Sequence, residues 1–113
     1  TRDALPEVAR LRLLRQRQRY LYGAPRCVKA ATLAQEAATA GFLNLAATAI
    51  MAPEPQARTM LNLSLHRSTE ALRRLERLTQ KTRPRAPWRR DLVETASSYR
   101  KLIDGFSRTL EAM

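Results

Sequence analysis

Five of the six prolines fall in three tight clusters, YGAP at 22–25, APEP at 52–55 and RPRAP at 83–87. Proline locks φ and has no N–H, so it closes one helix and is tolerated in the first turn of the next. The clusters therefore cut the chain into four segments, and the spacing predicts helices near 4–22, 25–51, 55–82 and 87–112. Alanine and leucine are abundant while aromatics make up 5%, a balance that favours helices over sheets. No stretch alternates with the period of two that a strand requires.

Apolar periodicity supports each segment. In 87–112, Leu92, Ala96, Tyr99, Ile103, Phe106, Leu110 and Met113 recur at alternating spacings of four and three, a heptad seam. In 55–82 the seam is Leu61, Leu65, Ser68, Leu72 and Leu75, widened by Leu78. The 4–22 segment offers Val8, Leu11, Leu14 and Leu21, interrupted by Gln18. The 25–51 segment is apolar on most sides, as expected of the most enclosed member of a bundle. Its Ala31, Ala34, Ala38 and Gly41 form a strip of small residues that admits a close neighbour. Residues 30–51 carry one charge, Glu36, but they are rich in alanine and also hold Gln35 and Asn44, so a buried helix is expected rather than a bilayer span. Short loops between long helices favour antiparallel neighbours. The expected fold is all-α, a single domain over 1–113 built as an antiparallel up-down four-helix bundle.

Charge is the second constraint. The chain has 21 Lys+Arg against 10 Asp+Glu, a formal +11, and such an excess draws anionic partners. Eighteen of the cations are arginine, whose planar fork suits phosphate and carboxylate; a GC-rich genome also raises arginine without explaining the excess of base over acid. The excess is concentrated. Residues 1–29 carry +6 and residues 67–90 carry +7, while 30–66 and 91–113 each carry −1. If the first and third predicted helices run the same way, their C-terminal ends share one pole. Arg15, Arg17, Arg19 and Arg26 then meet Arg73, Arg74, Arg77, Lys81, Arg83, Arg85, Arg89 and Arg90 there.

Part of this charge has an internal explanation. Cations near helix C-termini offset the macrodipole by about 0.3–1 kcal/mol each, and Glu70 and Glu76 are spaced to pair with Arg73 and Arg74 along their own helix. Two helix ends account for only a few of the cations. The segment KTRPRAPWRRD, Lys81 to Asp91, contains five cations before its first acid. Pro87 at the start of the last helix is expected to dock Trp88 over the end of the bundle, leaving Arg89 and Arg90 outside, or to present the indole as a stacking platform for a base.

The chain offers little for catalysis. One histidine, His66, and one cysteine, Cys27, do not make a zinc site, and no glycine-rich phosphate loop, nucleophile elbow or kinase motif occurs. Neither an enzyme nor a cofactor is expected. A lone cysteine forms no internal disulfide and suits a reducing, cytoplasmic compartment; Cys27 is expected to be a small buried residue. Residues 1–29 are Arg-rich like a mitochondrial transit peptide, but Asp3, Glu7 and the lack of serine oppose that reading, with the matrix left open.

The expected function is binding of RNA or DNA through the phosphate backbone, without base readout, inside a larger nucleoprotein complex. In size, helicity and basicity the chain is similar to the small helical subunits of RNA-guided effector complexes, an analogy of physique with no shared motif. The alternative is a protein-interaction bundle whose basic end meets an acidic protein, with the last helix's seam serving a partner subunit or a homodimer. Contact with anionic lipid is weaker, because the arginines gather near helix ends rather than along one amphipathic face.

Overall fold

The structure is a computed structural model and describes residues 23–51 and 54–112. It is all-helical over those residues, with α1 at Arg26–Met51, α2 at Ala57–Lys81 and α3 at Arg89–Ala112. The three match the second, third and fourth predicted helices to within two residues at each end. The predicted helix at 4–22 lies outside the described residues, so three helices of the expected four-helix bundle are seen.

The prolines act as punctuation, as expected. The carbonyl of Pro25 accepts from the N–H groups of Val28 and Lys29 at 3.1 and 3.2 Å, opening α1. At the end of α2, Thr82 is extended (φ −74°, ψ 139°), which carries the chain toward Pro84, and its hydroxyl donates to the Leu78 carbonyl at 2.6 Å. Pro87 stands just ahead of α3 instead of in its first turn. A turn closed from Arg89 N–H to the Ala86 carbonyl (3.1 Å) precedes the helix, and the Trp88 carbonyl then accepts from Leu92 N–H at 3.1 Å.

Side-chain contacts fix the arrangement. Gln35 of α1 meets Ser68 of α2, while Leu45 and Met60 share one depression and Ala31 and Arg74 another, so α1 and α2 are antiparallel. Glu76 of α2 meets Arg100 of α3, and Leu78 lies beside Trp88, so α2 and α3 are antiparallel too. Phe42 of α1 stacks on Phe106 of α3 with ring centroids 4.7 Å apart, closing the triangle.

The core is where the periodicity put it on two helices. Leu92, Ala96, Tyr99, Ile103, Phe106 and Leu110 of α3 are all buried, joined by Leu102. On α2, Leu61, Ser68, Leu72 and Leu75 are buried, with Leu65 and Leu78 packed against them. Each such leucine contributes about 1.5–3 kcal/mol. Helix α1 departs from expectation. It is not the most enclosed member: Leu33, Ile50 and Met51 are exposed, and alanines cover much of its outer side. Its core-facing row also mixes polarity, with Val28, Thr32, Gln35, Thr39 and Phe42 all buried. The Gln35 amide nitrogen donates to Thr39 Oγ1 (3.0 Å), Ser68 Oγ (3.2 Å) and the Ser68 carbonyl (3.3 Å). Thr39 and Ser68 hydroxyls are 3.1 Å apart.

Arg100 bridges α2 and α3. Its Nε donates to Glu76 Oε2 at 3.2 Å and its Nη2 to Oε1 of the same carboxylate, with Asp104 at 3.8 Å. The hydrogen bonds to Glu76 hold its pKa above the usual arginine value, with burial opposing and both acids adding Coulombic support. A raised pKa on a cation gives stability that is lost only as pH climbs through that value, so this bridge is intact across the neutral range. The expected pairing of Glu76 with Arg73 or Arg74 is thereby corrected: the carboxylate turns to α3, and Arg73 is held by Glu70 alone at 2.8 Å.

Candidate anion-binding site

The start of α1, the end of α2, the 82–88 connection and the start of α3 come together at one pole. A surface depression of about 580 Å³ marks the junction. Pro25 just ahead of α1 and Cys27 and Val28 within it enter the depression from one side, Leu78 and Lys81 from α2, and Thr82, Arg83, Arg85, Ala86 and Trp88 from the connection. Trp88 is half-buried against the core and forms part of the wall. The indole is both a packing residue and a lining residue, so the two expectations for it are compatible. Val28, Leu78 and Ala86 give the depression an apolar floor beneath a cationic rim.

Sequence reasoning placed twelve arginines and lysines at this pole, and the structure sorts them. Lys81, Arg83 and Arg85 line the depression; Arg26 precedes Cys27 on its margin, exposed. Arg90 projects into solvent with 89% of its side chain exposed. Arg89 is not outside as expected: it is half-buried, and its Nε is enclosed without a hydrogen-bond partner among the described residues. Arg74 and Arg77 lie elsewhere. They line a separate hollow on the flank of α1 and α2 with Ala31, Ala34, Glu70 and Ala71, because one to two turns back from the end of α2 they point sideways. Arg73 is paired with Glu70 on its own helix, and Arg15, Arg17 and Arg19 lie outside the described residues.

Dipole compensation does not account for this cluster. Two of the three helix ends here are N-termini, the positive ends of the macrodipole. Helix α1 has no acid in its first turn and α3 has only Asp91, whereas Arg26, Arg89 and Arg90 occupy those turns. Only Lys81, in the last turn of α2, stands where the dipole favours a cation. Nor are the charges neutralised internally. Among the described residues Arg26, Lys81, Arg83, Arg85 and Arg89 form no ion pair, and Arg90 has only a long 3.5 Å contact to Glu94. Such an exposed pair contributes at most about 1 kcal/mol. The arrangement concentrates positive potential that an anion would relieve.

Other chemistry is sparse. Among the described residues no group of three or more metal-ligating side chains assembles, His66 is exposed, and no helix is long and apolar enough to cross a membrane. Cys27 is exposed, not buried as expected, because it falls in the first turn of α1 at the open end of the bundle. No known protein family, curated protein or solved structure matches the chain at a significant level.

Proposed function

We propose that the chain is a non-enzymatic, nucleic-acid-binding helical bundle that grips phosphate backbone at this pole, without base readout, as one subunit of a larger nucleoprotein assembly. The observation that carries the reading is the placement of unpaired arginines on two helix N-termini. That arrangement costs the isolated protein stability, and a bound polyanion offsets the cost. In the four-helix arrangement expected from sequence, Arg15 and Arg19 extend the same surface. A single exposed cysteine suits a reducing, cytoplasmic setting.

The test is binding of a labelled single strand and a duplex of RNA and of DNA, titrated with salt. Log affinity should fall linearly with log salt, by about 0.7 per phosphate neutralised on a single strand and about 0.9 on a duplex. Reversing Arg83, Arg85, Arg89 and Arg90 together should flatten that slope by about 2–4 units with the fold retained. Equal loss on reversing Lys101 and Arg108 would reduce the effect to general attraction. Absence of binding at low salt would leave the pole to an acidic protein.

A further inference from the structure

The seam of α3, which the alternative reading offered to a partner subunit, is occupied by the chain's own core from Leu92 to Leu110. A different surface is open. On α1, Cys27, Ala31, Ala34, Ala38, Gly41 and Leu45 recur at alternating spacings of four and three, one position removed from the core-facing row. On α2, Met60, Ser64, Arg67, Ala71 and Arg74 recur in the same way. These rows face each other across a trough, seen as adjoining hollows of about 270 and 380 Å³. Two walls of period 3.5 form the holes into which the knobs of another helix fit. Small residues on the α1 wall allow close approach, and a Cβ placed on Gly41 meets nothing within 4 Å.

The trough is graded. At one end Met60 and Leu63 are each 51% exposed and face Leu45. Toward the other end Arg67, Arg74 and Arg77 line it, and none of them forms an ion pair among the described residues. The one acid there, Glu70, is taken by Arg73.

We propose that this trough docks an amphipathic helix of a partner protein, apolar at one end and flanked by Asp and Glu toward the other, with its acidic end against Arg74 and Arg77. Charge selects that occupant. Residues 1–22 hold six cations against two acids, and a second copy brings another +11, so neither supplies the missing acids. From Ala31 to Leu45 the wall is about 21 Å long, enough for a helix of about 14 residues, and Cys27 stands one turn beyond its end. The trough meets the phosphate-gripping pole at Cys27, which lines the pole's depression, but its own arginines, Arg67, Arg74 and Arg77, are different ones.

Cys27, the only thiol in the chain and exposed, marks the acidic end of the docked helix. The probe is a synthetic helical peptide of about 20 residues with leucine and alanine on one face and glutamate flanking that face in one half. It carries a bromoacetyl group at either its acidic or its apolar end, and alkylation of Cys27 in the full chain is followed by mass spectrometry at physiological salt. The acidic-end reagent should react at least about ten-fold faster than the apolar-end one, through raised effective concentration. Gly41→Leu, which fills the trough, and Leu63→Glu, at an exposed position, should each abolish the difference, while Gly41→Ala and reversal of Arg83 and Arg85 should preserve it. Equal rates from the two ends overturn the proposal, as does an acceleration indifferent to Gly41→Leu. Displacement of the peptide by a single strand in both wild type and Gly41→Leu would assign the flank to nucleic acid instead.

Discussion

The side-chain amide of Gln35 donates across the α1/α2 contact, yet its Oε1 is buried and meets no donor among the described residues. An orphaned buried acceptor costs about 1–3 kcal/mol, comparable to what the amide's donated bonds return. Gln35→Met should therefore change unfolding free energy by less than about 1 kcal/mol, since the Thr39 and Ser68 hydroxyls retain one another. Gln35→Ala leaves a cavity as well and should cost about 2–4 kcal/mol. Urea denaturation measures both, and a Gln35→Met loss as large as that of Gln35→Ala would show that the oxygen is satisfied after all. This residue also shows where sequence reading stops. Val28, Thr32, Gln35, Thr39 and Phe42 keep heptad spacing, but three of the five are polar, so apolar periodicity could not pick out the inner face of α1.

At the scale of elements, helix boundaries were legible because proline chemistry is local, and the seams of α2 and α3 were legible because leucine and aromatic residues mark them. What the ends of the helices do together was not. The dipole at the pole depends on which termini meet there, a tertiary fact, and it reverses the expected sign for Arg26, Arg89 and Arg90. A direct consequence is that Arg26→Glu should stabilise the fold by about 0.3–1 kcal/mol, by complementing the start of α1 and facing Lys29 one turn on. The same substitution should weaken nucleic-acid binding. Paired urea and binding measurements check this, and a loss of stability would mean that Arg26 is engaged in the fold.

Across the whole molecule, a net +11, with six of its cations (Arg26, Lys81, Arg83, Arg85, Arg89 and Arg90) gathered at one pole, is held together against its own repulsion. Salt screens such charges beyond about 10 Å at 0.1 M, so the thermal midpoint should rise as sodium chloride is added from low ionic strength. Polyphosphate should raise it further at matched ionic strength, because a ligand of the native state stabilises by mass action. Reversal of Arg83, Arg85, Arg89 and Arg90 should remove that excess; scanning calorimetry would show it, and an excess unaltered by the reversal would place the anion elsewhere. Sequence located the connection arginines at this pole because they sit between two helices. It misplaced Arg74 and Arg77 because proximity to a helix end says nothing about azimuth, and azimuth sends them to the flank.

The hydrogen-bonded trio of Gln35, Thr39 and Ser68 has one more effect. Both walls of the α1/α2 contact repeat every seven residues and are built largely from small or interchangeable side chains, so sliding one helix by a heptad would preserve most of the packing. Such a slip is a translation of about 10.5 Å, enough to carry Lys81 and Arg83 away from the start of α1 and dismantle the cationic pole. The trio is one place where the two alignments differ in energy, since a shifted α2 would set Leu61 or Leu75 against the amide; the Glu76–Arg100 bridge to α3 is another. A polar stitch midway along the bundle thus keeps the register of a surface at its end.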